Sequence, residues 1–116
     1  MYLNLAHTKL DIFALSRSLV LKCYQLTTQF PPDEKFGMVS QIRRAALSVH
    51  LNIAEGCSRS SFKDRKWFYE IARGSVVEVD TAFHIAFELE YVHPAKSDEI
   101  GELIVGCFQV ISKMMA

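Results

Sequence analysis

The sequence is poor in the residues that make turns and in the cysteine patterns that make cross-links. Its 116 residues include only five glycines and three prolines, whereas half are hydrophobic. This composition excludes a disordered chain and disfavours a turn-rich β fold. Cys23, Cys57 and Cys107 lie far apart with no Cys-x-x-Cys pair. We therefore expect reduced packing residues rather than disulfides or a zinc site.

The sequence also lacks a long apolar run, a secretion signal and an excess of charge. No apolar segment is long enough to span a membrane, and no charged region followed by an apolar core opens the chain. We therefore expect a cytoplasmic protein with no membrane partner. Thirteen basic residues balance thirteen acidic ones, so net charge alone predicts neither nucleic-acid nor membrane binding.

Signatures of catalysis and cofactor binding are missing as well. We find neither a glycine-rich phosphate loop nor a nucleophilic triad. His84 and Glu88 are one helical turn apart, but no third metal ligand is evident. We accordingly expect no cofactor, no metal and no enzymatic activity.

Apolar residues recur at helical spacing in four segments. Pro31 and Pro32 separate the first two segments, Ser61 with Asp64 resembles a capping box before the third, and Pro94 precedes the fourth. Short connections favour antiparallel neighbours. The sequence predicts one all-α domain over residues 1–116, an up-down-up-down antiparallel four-helix bundle with helices at about residues 9–28, 35–58, 62–92 and 98–115.

Polar side chains form a ladder along the second predicted helix, at spacings of three and four. They are amides, hydroxyls and arginines rather than the lysines and glutamates of an ordinary solvated surface. Matched acids in the third helix favour a structural role. The predicted structural polar network comprises Gln41, Arg44, Ser48, Asn52, Glu55, Glu70 and Glu78.

Charge is distributed unevenly along the chain. Residues 36–75 carry seven basic and three acidic residues, whereas residues 76–116 carry two basic and seven acidic ones. Two alternatives stay open for the basic residues: an ion network between helices, or contacts with phosphates. The nucleic-acid hypothesis concerns Arg43, Arg59, Lys63, Arg65, Lys66 and Arg73, with base stacking on Trp67 or Tyr69 as an addition to it.

The third predicted helix has two partly apolar faces. One supplies the core of the bundle, and the other mixes apolar with polar groups. Two such faces in a small protein usually have two partners, one of them outside the chain. We therefore predict an oligomer interface at Trp67, Gly74, Val77, Thr81 and Ile85.

Three stretches of the sequence resemble the bacterial four-helix-bundle proteins known as 23S rRNA intervening-sequence proteins. They are Gln41-Ile42-Arg43-Arg44-Ala45-Ala46-Leu47-Ser48, Asn52-Ile53-Ala54-Glu55-Gly56 with Arg59, and Glu70-Ile71-Ala72-Arg73-Gly74-Ser75 with Glu78. The resemblance implies a homopentameric ring. Related accessory variability determinants of diversity-generating retroelements bind nucleic acid and a reverse transcriptase. His50 departs from the family pattern, which has a small residue or proline there.

These observations favour a non-enzymatic oligomeric scaffold that binds RNA, DNA or a nucleic-acid-associated protein through basic residues of helices 2 and 3. The alternative is a purely structural or protein-interaction ring. A remote alternative is a ribonuclease similar to the HEPN domains, because Arg44 is followed by five residues and His50. These two residues are about 120° apart around the helix, and such a site needs them together.

Overall fold

The computed structural model describes residues 1–3, 5 and 10–116, and this part of the chain contains four α-helices and no strand. The predicted all-α, four-helix architecture is confirmed. Short 3₁₀ turns at Pro32–Glu34 and Pro94–Lys96 precede the second and fourth helices. The helices are α1 (Asp11–Thr27), α2 (Met38–Cys57), α3 (Phe62–Glu88) and α4 (Ser97–Met114).

The four helices surround one apolar core. α1 packs on α2 and α4, and α3 also packs on α2 and α4, the neighbour relations of a four-helix bundle. Each helix contributes side chains that are fully or almost fully buried, including Leu19, Ile42, Ile53, Val76, Ile100 and Ile111. Burying one such aliphatic side chain contributes about 1.5–3 kcal/mol, so this core holds the helices together.

The third helix is shorter than its sequence predicts, because it ends at Glu88 and not near Val92. Glu90 adopts a left-handed conformation with φ of 62°. Its N–H donates to the Phe87 carbonyl, and the Tyr91 N–H donates to the Ala86 carbonyl at 2.9 Å. This pair of bonds is a Schellman motif, which terminates a helix. The sequence gives no warning of it, since glycine usually occupies the left-handed position.

The other helix ends differ from prediction by smaller amounts. α2 begins at Met38 rather than residue 35, since the 3₁₀ turn at Pro32–Glu34 occupies the preceding residues and Gly37 is the N-cap. α1 ends at Thr27, and α4 covers 97–114 rather than 98–115. The predicted start of the first helix at residue 9 lies outside the described residues.

The capping predicted for α3 is observed. The Ser61 hydroxyl accepts a hydrogen bond from the Asp64 N–H at 3.1 Å, which satisfies one of the free donors of the first turn. Within residues 1–3, 5 and 10–116, no helix combines the length and apolarity needed to cross a bilayer.

Candidate functional site: the α2–α3 junction and the outer face of α3

Two arginines at the junction of α2 and α3 are engaged within the chain. The Arg59 guanidinium forms a salt bridge with Glu55 at 2.5 Å and lies 4.8 Å from the centre of the Phe68 ring. The Arg65 guanidinium donates to the carbonyl oxygens of Arg59 and Ser60 at 3.2 and 2.9 Å. Arg65 therefore fixes the loop between the two helices by binding its otherwise free carbonyls.

Lys63 and Lys66 lie on the first two turns of α3 and are exposed. Neither side chain forms an ion pair or hydrogen bond within the described part of the chain. Trp67 follows Lys66 directly and is 65 % exposed. This corner of the bundle therefore offers two unpaired ammonium groups beside an exposed indole, which can contact phosphates and stack on a base.

Tyr69, in contrast, is unsuited to base stacking because only 5 % of it is exposed. Its ring packs against α2 at Gly56, and its hydroxyl lies 3.4 Å from the Cys57 sulfur. Burial, together with the hydrogen bond to Cys57, raises the pKa of Tyr69 above its ordinary value. Tyr69 is a packing residue between α2 and α3, and the stacking hypothesis is wrong for it.

Two other basic residues of the nucleic-acid hypothesis fasten neighbouring helices. Arg43 donates from Nε to the Thr27 hydroxyl at 2.8 Å, and its guanidinium covers the Tyr24 ring at 4.6 Å, so it connects α2 with α1. Arg73 donates to the Ser112 hydroxyl at 3.2 Å and connects α3 with α4. The structure therefore does not bring Arg43 and Arg73 to the junction.

The predicted polar network is only partly assembled. The Asn52 amide donates to the carbonyl and hydroxyl of Ser48 at 2.9 and 3.1 Å, and the Ser75 hydroxyl donates to the Ser48 hydroxyl at 2.9 Å. Glu55 pairs with Arg59. The remaining four members are exposed and make no side-chain hydrogen bond within the described residues, namely Gln41, Arg44, Glu70 and Glu78.

The residues of the ribonuclease alternative lie in different environments. His50 is half-buried against α1, where its Nδ1 is 2.7 Å from the Ser16 hydroxyl and its ring centre is 4.2 Å from that of Phe13. Arg44 is exposed. His84 and Glu88 form an exposed pair at 3.2 Å, and in the described part of the chain no cluster of three His, Cys, Asp or Glu residues is arranged to hold a metal.

The outer side of α3 carries a continuous, largely apolar surface. Trp67, Val77 and Ile85 are 65 %, 48 % and 44 % exposed, and Thr81 is exposed as well. No atom lies within 4 Å of the position that a Cβ would take on Gly74. Together with Ile71, which the sequence reasoning missed, these residues define what we call the outer α3 face: Trp67, Ile71, Gly74, Val77, Thr81 and Ile85.

The outer α3 face borders a groove that α4 completes. This α3–α4 groove has a volume of about 540 Å³, and its walls include Val77, Val105 and Phe108. Val105 and Phe108 are both exposed, and neither was part of the predicted interface. Their position on the outward side of the fourth amphipathic helix was the available signal.

The chain resembles known proteins in sequence and in fold. The family model of the 23S rRNA-intervening sequence protein matches residues 8–113. A crystal structure of a protein with unknown function, from the S23 ribosomal protein family of Bacteroides thetaiotaomicron VPI-5482, has the same fold with a TM-score of 0.80. It is 18 % identical, and the match covers 90 % of this chain and 97 % of that one. No curated protein matches the sequence. Because the family model covers nearly the whole chain, the protein belongs to the 23S rRNA-intervening sequence protein family.

Proposed function

We propose that this protein is a non-enzymatic, self-associating scaffold whose subunits meet through the outer α3 face. The observation that carries the proposal is the exposure of Trp67, Val77 and Ile85 along one side of a single helix. Exposed apolar side chains that adjoin along a surface mark interaction sites. The homopentameric ring implied by the family resemblance is the assembly that we propose.

Self-association also accounts for Gly74 and Thr81. Gly74 leaves open space on the outer α3 face, and a small residue lets a neighbouring helix approach closely. The Thr81 hydroxyl donates to the Val77 carbonyl of its own helix at 2.7 Å. The polar group of Thr81 is therefore satisfied within α3, and burying it in an interface leaves no donor without a partner.

A second function, binding of RNA or single-stranded DNA, is supported by the unpaired charges of Lys63 and Lys66. A ring would repeat this pair in every subunit, and multivalency would strengthen weak phosphate contacts. Arg59 and Arg65 add positive charge while holding the junction in place. A reverse transcriptase or another nucleic-acid-associated protein is the protein partner that the family resemblance suggests.

The experiment is a mass determination in solution, with and without a mixed pool of RNA and single-stranded DNA, at several salt concentrations. A double variant, Lys63→Gln with Lys66→Gln, is compared with Lys96→Gln and Lys113→Gln, which remove the same charge from exposed lysines elsewhere. We expect the first variant to lose affinity and about 0.7 of the logarithmic salt slope for each lost phosphate contact on a single strand.

Two other results would redirect the proposal. A pentamer that takes up neither pool would indicate a ring devoted to protein interactions. Cleavage of the RNA, abolished by His50→Ala, would restore the ribonuclease alternative and contradict the non-enzymatic role.

A further inference from the structure

The loop that leads from α1 to α2 has a fixed backbone. The N–H groups of Glu34, Lys35 and Gly37 donate to the carbonyls of Pro31, Pro32 and Glu34 at 2.9, 3.2 and 3.0 Å. The two prolines restrict their own φ angles further. A side chain that projects from this loop is therefore held in a defined position before it meets any partner.

The carboxylate of Glu34 holds the loop from the other side. One of its oxygens lies 3.5 Å from the Met38 N–H at the start of α2. A hydrogen bond to Glu34 raises the pKa of Tyr91, which follows the end of α3. Glu34 thus connects the loop to two helices.

Phe36 projects from this fixed loop into solvent. It is 89 % exposed, more than any other large apolar side chain in residues 10–116. Its ring is accompanied by the Lys35 ammonium, 5.4 Å from the ring centre. An aromatic side chain that is exposed on a rigid loop loses little conformational freedom on binding and gains a large buried area, as interface hot spots do.

The α3–α4 groove has the complementary properties. Its apolar walls include Val77, Val105 and Phe108, and its 540 Å³ exceed the volume of one aromatic ring. Asp80 is the one charged residue among those that line it, and this aspartate is exposed. A phenyl ring with an ammonium beside it therefore matches a groove that is apolar inside and negative at one side.

Rings of more than two subunits require two different surfaces to meet at each contact. The Phe36 loop lies where α2 begins, and the groove lies halfway along α3 at Val77, so the two surfaces are distinct on each subunit. We propose that Phe36 of one subunit inserts into the α3–α4 groove of the next subunit, with Lys35 facing Asp80 across the contact. This inference rests on the self-association proposed above and names the two surfaces that produce it.

The first test compares the dissociation constants of the assembly for the wild type, Phe36→Ala and Leu21→Ala. Leu21 is an exposed apolar residue of α1 and serves as the control. We expect Phe36→Ala to raise the dissociation constant about 30-fold, as loss of a hot-spot residue does, and Leu21→Ala to leave it unchanged. Both variants should fold like the wild type, which circular dichroism checks.

The second test is an exchange of charges. Lys35→Glu and Asp80→Lys should each weaken association about two- to fivefold, and the double variant should restore it, because the pair is then reversed and not lost. Additive losses in the double variant would overturn the pairing of Lys35 with Asp80.

The outcomes distinguish this inference from the proposed function. An oligomeric wild type with a Phe36→Ala variant that dissociates no more readily than Leu21→Ala would overturn the insertion of Phe36 while leaving the scaffold intact. A wild type that stays monomeric would overturn both.

Discussion

The position that a Cβ atom would take on Gly56 lies 2.7 Å from Cε1 of Tyr69. It also lies 3.1 Å from the Cβ of Phe68. Since real Cβ atoms do not approach other heavy atoms so closely, only glycine lets the end of α2 rest on the buried Tyr69 ring. This contact fixes the α2–α3 junction, where the candidate nucleic-acid site lies.

We expect Gly56→Ala to lower the free energy of unfolding by about 1–3 kcal/mol, because the added methyl group overpacks the contact with Tyr69. The control is Gly101→Ala in α4, where no atom lies within 4 Å of the added Cβ. That substitution should raise the free energy of unfolding by about 0.5–1 kcal/mol through its effect on helix propensity. Urea denaturation measures both, and a Gly56→Ala variant as stable as wild type would contradict the packing described.

The end of α3 offers a stabilising substitution. Glu90 has a positive φ of 62°, which costs a non-glycine residue about 1–2 kcal/mol. Glu90→Gly should therefore raise the free energy of unfolding by about 1 kcal/mol. Glu88→Gly, the same substitution inside the helix, should lower it. Thermal or urea denaturation of the two variants decides, and destabilisation by Glu90→Gly would be evidence against the left-handed helix end.

The three thiols should differ in reactivity. Cys23 and Cys107 have no exposed surface, and burial raises the pKa of each to about 12. Cys57 is only half-buried. With a thiol reagent at pH 8 we expect one thiol to react in the folded protein and all three in denaturant, because the thiolate is the reactive form. Rapid reaction of more than one thiol in the folded state would contradict the burial of the other two.

A pH dependence is expected at the contact of α1 with α4. Lys22 Nζ lies 2.7 Å from a carboxylate oxygen of Glu99, and this hydrogen bond lowers the pKa of Glu99. A carboxyl group whose pKa is lower in the folded state stabilises the fold above its unfolded pKa, and that contribution is lost as the pH falls through the folded value.

NMR titration tests this effect directly. In Lys22→Met the pKa of Glu99 should rise toward its ordinary value, because the partner charge is gone. The control Lys113→Met, at the far end of α4, should leave the pKa of Glu99 unchanged. No change in Lys22→Met would show that the pair does not form in solution.

Most of the fold follows from the sequence, because apolar periodicity and prolines mark four helices with little ambiguity. The end of α3 does not follow, since Glu90 occupies a conformation that its side chain disfavours. The start of α2 does not follow either, because a 3₁₀ turn and a helical first turn leave similar sequence patterns at Pro32–Glu34.

The candidate sites are less predictable than the fold. Arg43 and Arg73 look like free cations in the sequence, but their partners Thr27 and Ser112 are 16 and 39 residues away and come near only through packing of the helices. The outer α3 face was predictable in part, since its period is that of a helix. Its extension by Val105 and Phe108 depends on which side of α4 faces α3, which the sequence leaves open.

The central claim is that the outer α3 face joins subunits, and sedimentation velocity on three proteins tests it most directly. We expect the wild type to sediment as a pentamer and Val77→Asp as a monomer, because the substitution places a charge in the apolar contact. Leu21→Asp, which alters an exposed leucine of α1, should remain pentameric. A monomeric wild type, or a Val77→Asp variant that assembles as well as Leu21→Asp, would contradict the account.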